Sequence, residues 1–170
     1  MNSRQILVSL WIIILLFSGC NRQRDRQAAT DEEMMTARTL GLAYLEENKL
    51  EEAKAEFLKL VELDPKEVLG YANLGIVYLR LGEYDEAEDW LKKAIDLDPE
   101  DPDVRLILAK VYEMSDQRGK SIDELEKIIR LTPGHVKSLY QLTELYSSTT
   151  DPESMDLRRK YLNELVNSVP

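Results

Sequence analysis

VLGYANLGIVYLRLGEYDEAEDWLKKAIDLDPED, residues Val68–Asp101, decides the fold. Tyr71, Leu74, Gly75 and Tyr78 fall at i, i+3, i+4 and i+7, one stripe of a helix. Ala87, Leu91, Ala94 and Ile95 form a second helical stripe, and Pro99 closes the stretch. Glycine inside a helix costs about 1 kcal/mol relative to alanine. Gly75 therefore needs a packing reason, and with Ala87 it clears a place where two helices can approach closely. Gly82 lies between the two patterns, where a left-handed helix C-cap favours glycine. Thirty-four residues earlier the same window reads Ala37, Leu40, Gly41, Tyr44, Ala53, Phe57, Leu60 and Pro65, with Asn48 in the slot of Gly82. Thirty-four residues later it reads Arg105, Leu108, Ala109, Tyr112, Ser121, Leu125, Ile128 and Pro133, and one further shift finds Leu139, Leu142 and Tyr146. A fixed period carrying the same residue types marks a repeat architecture in which no helix pair buries its stripe alone.

The order aromatic-x-x-Leu-Gly-x-x-Tyr, then Ala, an apolar residue four later and a closing Pro, resembles the tetratricopeptide repeat from Met34 to Pro170. The resemblance implies an all-α, right-handed α-solenoid of helix-turn-helix units, with three clear repeats and a degenerate fourth, capping pair. The units are residues 34–67, 68–101, 102–135 and 136–170. Helices are predicted to about Glu47, then over about Glu51–Leu63, Val68–Leu81, Tyr84–Leu97, Pro102–Met114, Arg118–Leu131 and Val136–Ser147. Thr30 with Glu33 has the form of a capping box opening the first helix. Asp101-Pro102 and Asp151-Pro152 read as N-caps followed by Pro at the first helical position. In the last helix the register slips, and Met155, Leu162, Leu165 and Val166 are read as its inner side, with Arg158, Arg159, Lys160, Asn163 and Asn167 outward.

The first 33 residues are of another kind. Arg4 precedes Ile6–Phe17, a twelve-residue run that is apolar except for Ser9. That is shorter than the ~20 residues a membrane span needs, and it fits the apolar region of an export signal. Phe17-Ser18-Gly19-Cys20 resembles a bacterial lipobox. The resemblance implies a signal peptide over residues 1–19 and acylation of Cys20, with a polar tether over residues 20–33. Asn21, where an inner-membrane lipoprotein would carry Asp, points to the periplasmic face of the outer membrane. Two or three acyl chains suffice for stable anchoring.

Composition narrows the function. The net charge is −10, which disfavours nucleic acid, whose affinity rests on Lys and Arg neutralising phosphates. Cys20 is the one cysteine, so no intrachain disulfide forms and stability comes from packing. His135 is the one histidine, in a turn beside Gly134, and no phosphate-cradling glycine loop or zinc-ligand set is present. An enzyme is not expected, nor a cofactor, a metal or a small-molecule substrate. Glu88/Lys92, Asp89/Lys93, Asp123/Lys127 and Glu126/Arg130 pair acid before base at i, i+4, as a solvated helix face does.

What remains is the concave groove, which the family resemblance places on the first helix of each unit. Its residues are Met35, Arg38, Leu42 and Leu45, then Leu69, Ala72, Asn73, Ile76 and Leu79, then Asp103, Leu106, Lys110 and Glu113, then Lys137, Tyr140, Glu144 and Ser147. The groove reads as apolar in its N-terminal half and mixed in charge beyond. An exposed apolar patch marks a contact, here an amphipathic helix or extended peptide of a partner protein. Curvature of the stack, or the tether folding back, would instead bury these residues. The carboxylate clamp of chaperone-binding members is not expected, because Leu42, Asp103 and Ile107 hold three of its five places. The expected function is a membrane-anchored scaffold or adaptor for protein–protein contact in a bacterial cell envelope, such as assembly of an envelope, pilus or secretion complex. The alternatives are a self-associating structural lipoprotein and a non-catalytic regulator of cell-wall enzymes.

Overall fold

A computed structural model describes residues 27–148 and 151–168. The described residues are helical throughout apart from short turns. Helix α1 covers residues 27–46. It is followed by α2 (Leu50–Leu63), α3 (Val68–Leu81), α4 (Tyr84–Leu97), α5 (Pro102–Met114), α6 (Arg118–Leu131), α7 (Val136–Ser147) and α8 (Pro152–Ser168). Each odd-numbered helix pairs with the even-numbered one after it, and the pairs stack in chain order into an α-solenoid. Cys20 and the expected signal peptide lie outside the described residues.

The 34-residue period governs the turns. Asn48, Gly82 and Asp116 stand at one position of successive units, and all three adopt positive φ, 56°, 79° and 59°. A short polar side chain tolerates this left-handed conformation, and glycine pays nothing for it. The Gly82 N–H then bonds the carbonyls of Leu79 and Tyr78 and closes α3. Asp101 caps α5 as predicted, accepting from the N–H groups of Asp103 (2.8 Å) and Val104 (3.3 Å). Asp151 likewise accepts from the Ser154 N–H at 2.9 Å. His135 takes the same role for α7: its Nδ1 accepts the Ser138 N–H at 3.3 Å. The single histidine is thus a helix cap.

Three core clusters run along the stack. The first joins Ala37, Leu45, Ala53, Phe57, Leu60, Leu74 and Val77. The second joins Ala87, Leu91, Ala94, Val104, Leu108, Val111 and Tyr112. The third joins Ala109, Leu125, Ile128, Leu139, Leu142, Tyr146 and Tyr161. Gly41 and Gly75 stand where close approach of two helices demands them. A Cβ at Gly41 would lie 2.6 Å from the Phe57 ring, and one at Gly75 only 2.4 Å from Leu91 Cγ. Polar staples cross between units. Tyr112 donates to Glu88 Oε1 at 2.9 Å, and the Lys92 ammonium meets the same oxygen at 2.6 Å. Burial pushes the Glu88 carboxyl up, but these two hydrogen bonds together with the charges of Lys92 and Lys120 hold the group below the usual range.

Repeats 2 and 3 solve one packing position in two ways. Tyr71 donates to the Pro65 carbonyl at 3.3 Å and lies 5.9 Å from the Trp90 ring, centroid to centroid. One period on, Arg105 donates to the Pro99 carbonyl at 2.7 Å and to Glu124 Oε2 at 2.9 Å. An aromatic pair is replaced by an ion pair whose side chains are 13% and 9% exposed.

Four expectations are corrected. First, α1 already runs through residues 27–33, so the proposed tether and the Thr30–Glu33 capping box fall partly inside a helix. Gln27, Ala28 and Ala29 carry no breaker, and the Gln27 amide donates to Asp31 at 3.0 Å across one turn. Second, Leu40, aligned with the buried Leu74 and Leu108, is exposed. Among the described residues no helix precedes α1, so the side that later units bury against a neighbour stays open there. Third, α8 buries Tyr161 and packs Leu157 and Leu165 into the third cluster, while Met155, Leu162 and Val166 face outward. Leu157 and Tyr161 lie 36 residues after Ser121 and Leu125, whereas α8 begins 34 residues after α6, so this helix turns a face two positions further along toward the core. Fourth, of the four predicted i, i+4 pairs, Glu88/Lys92 and Glu126/Arg130 form. Lys127 instead meets Glu124 at 2.6 Å, and Lys93 sits 3.8 Å over the Trp90 ring.

Candidate functional site

Helices α3, α5 and α7 present one face that their paired helices do not cover. Three adjoining depressions run obliquely across it. The first, about 420 Å³, lies between the N-terminal halves of α3 and α5, over Leu69, Ala72, Asn73, Ile76, Val104 and Ile107. Glu67, Asp101 and Asp103 stand at its rim. The second, about 400 Å³, reaches α7 and is lined by Ile76, Leu79, Leu106 and Ile107, with Lys110, Lys137, Tyr140 and Gln141 around them. The third, about 370 Å³, continues between α5 and α7 past Lys110, Glu113, Tyr140, Gln141, Glu144 and Leu145. Ile76 and Ile107 are shared by the first two, so the apolar floor is continuous.

The sequence-predicted groove residues divide among several environments. Ile76, Leu79, Leu106, Lys110 and Tyr140 line the second depression together. Leu69 and Asn73 line the first, although the Asn73 amide is buried and donates to the Leu69 carbonyl of its own helix at 2.9 Å. Asn73 therefore shapes the wall and does not offer its amide to a ligand. Met35 and Leu42 are exposed on α1, 68% and 38%. Arg38 is held by Glu67 at 2.9 Å. Leu45 is a correction: at 7% exposure it belongs to the first core cluster with Phe57, Leu74 and Val77. Arg80 of α3 reaches across to the Leu45 carbonyl at 2.7 Å, which brings the end of α3 over this part of α1.

Ile107 and Gln141 were missed, and the period could have found them, because each lies 34 residues beyond a groove position, Asn73 and then Ile107. Gln141 Oε1 is buried and has no hydrogen-bond partner. Among the described residues no group of three or more His, Cys, Asp or Glu side chains is arranged to hold a metal ion. No described helix is long and apolar enough to cross a membrane.

No curated protein matches the sequence. Two tetratricopeptide repeat family profiles match, over residues 38–102 and 78–143. Among solved structures the chain resembles the crystal structure of MamA, at 25% identity and a TM-score of 0.71, over 79% of this chain and 77% of that one. It also resembles the first tetratricopeptide domain of Spaghetti (RPAP3) bound to the HSP90 peptide SRMEEVD, at 17% identity and a TM-score of 0.64, over 69% and 93% of the two chains. The second such domain of human RPAP3, in complex with the HSP70 peptide SGPTIEEVD, gives 21% identity and a TM-score of 0.63, over 68% and 97%. The repeat positions, the stacked helix pairs and the two matching profiles agree: residues 38–143 of this chain are built of tetratricopeptide repeats.

Proposed function

We propose that this protein is a membrane-anchored adaptor of a bacterial cell envelope that holds a segment of a partner protein in its concave groove. The observation that carries the groove is the continuous apolar floor of Leu69, Ile76, Leu79, Leu106 and Ile107 on a face no other described helix covers. Similar domains of RPAP3 hold peptides of partner proteins. The recognition chemistry differs here from a carboxylate clamp. Arg38 is neutralised by Glu67, Asn73 is turned into its own helix, and Asp103 would repel a terminal carboxylate. The anchor rests on Ile6–Phe17 followed by Ser18-Gly19-Cys20, and it supports placement at the periplasmic face of the outer membrane and a role in assembling an envelope, pilus or secretion complex.

The two halves of this reading are tested separately. A photo-crosslinking residue at Leu79 is expected to trap a partner in cells. Leu42→Glu with Ile76→Glu is expected to abolish the crosslinked product while leaving helicity by circular dichroism unchanged. A product of undiminished yield would remove the groove from the account. Cys20→Ala is expected to shift the chain from the membrane fraction to the soluble fraction; retention at the membrane would remove the lipid anchor.

A further inference from the structure

The apolar trough is bounded by opposite charge at successive points along its length. Where the N-terminal halves of α3 and α5 meet, its rim carries the Asp103 carboxylate, beside Glu67, which holds Arg38, and Asp101, which caps α5. Where it passes from α5 to α7, its rim carries the ammonium groups of Lys110 and Lys137. We infer that the trough takes an amphipathic segment of a partner protein with two neighbouring apolar side chains, a basic residue beside the first and an acidic residue beside the second. This inference rests on the groove being the docking site and adds the chemistry of what docks there.

Two observations support it. Lys110, Lys137 and Asp103 are only loosely engaged. Lys110 meets Glu113 at 3.2 Å with both side chains over 40% exposed, and Lys137 meets Asp103 at 3.8 Å with both about three-quarters exposed. Exposed pairs of this kind contribute little to stability, so a ligand's own charges can replace them. Next, the charges stand over an apolar floor, where a docked segment excludes water and complementary charge discriminates more strongly than in open solvent.

The test uses the full chain and three fluorescein-labelled peptides about 12 residues long with the same leucine pair. Their flanks are Lys on one side and Glu on the other, Lys on both sides, or Glu on both sides. Anisotropy titrations are expected to show the mixed-charge peptide binding ~10-fold tighter than either uniform one. Lys110→Glu with Lys137→Glu is expected to move the preference to the Lys-flanked peptide, and Asp103→Lys to move it toward the Glu-flanked peptide. Equal affinity for all three peptides, or preferences that the charge reversals leave unchanged, would overturn the inference. If binding is equal but Ile76→Glu abolishes it, the groove stands and the charge assignment falls. If Ile76→Glu leaves binding intact, the groove reading falls with it. Absence of binding by all three peptides also overturns the inference, and the crosslink from Leu79 then decides separately whether the groove is occupied.

Discussion

Arg105→Tyr is expected to destabilise the protein by about 3 kcal/mol, and Glu124→Trp made with it to recover most of that loss. The reason is the exchange between repeats 2 and 3. Tyr71 and Trp90 in one unit occupy the places of Arg105 and Glu124 in the next. Removing the guanidinium alone leaves the 9%-exposed Glu124 carboxylate with Lys127 as its remaining cation, at 2.6 Å. It also strips the Pro99 carbonyl of two donors, at 2.7 and 3.1 Å. A tyrosine at 105 can reach that carbonyl, as Tyr71 reaches Pro65, but it cannot neutralise the acid. The double variant restores an aromatic pair of the kind repeat 2 already tolerates. Urea denaturation of the four members of the cycle checks this, and additivity of the two single changes would mean that the pairs are not interchangeable.

Phe57→Ala carries the other large effect, about 3–5 kcal/mol. The Phe57 ring is fully buried and fills the space that Gly41 leaves open on α1. Alanine at 57 leaves a cavity between two helices whose backbones are already close, so collapse cannot refill it. The damage is expected to stay local, because a repeat unit depends on its neighbours and little beyond them. Hydrogen exchange should show α1 and α2 opening well before α5 and α6. A uniform loss of protection over the whole chain would contradict that locality.

Much of this fold is legible in the sequence because each structural position is sampled several times. Tyr71, Leu74, Gly75 and Tyr78 are ambiguous alone, but their counterparts 34 residues either side fix the period and with it the helix pairs. The bounds of α3 to α7 follow from Gly82 and the prolines. The failures cluster at the ends, where the period has no neighbour to refer to. Leu40 looks like Leu74 but has no preceding described helix to cover it, and α8 starts in period yet buries a face two positions further along. The groove was only partly legible. Sequence spacing identifies the face that Ile76, Leu79 and Leu106 share, but not that Leu45 is drawn into the core or that Asn73 spends its amide on Leu69. Those outcomes depend on how closely α3 crosses α1 and on a hydrogen bond within one helix, neither of which a periodic pattern encodes.

The helix pairs lean on those beside them in the chain, and the first helices of successive units, α1 with α3 and α3 with α5, also touch. A molecule assembled in this way has no keystone. Stretched along the stack, it is expected to yield hairpin by hairpin and not all at once. The trough across α3, α5 and α7 spans three of those hairpins, so the gripping surface comes apart only when they part.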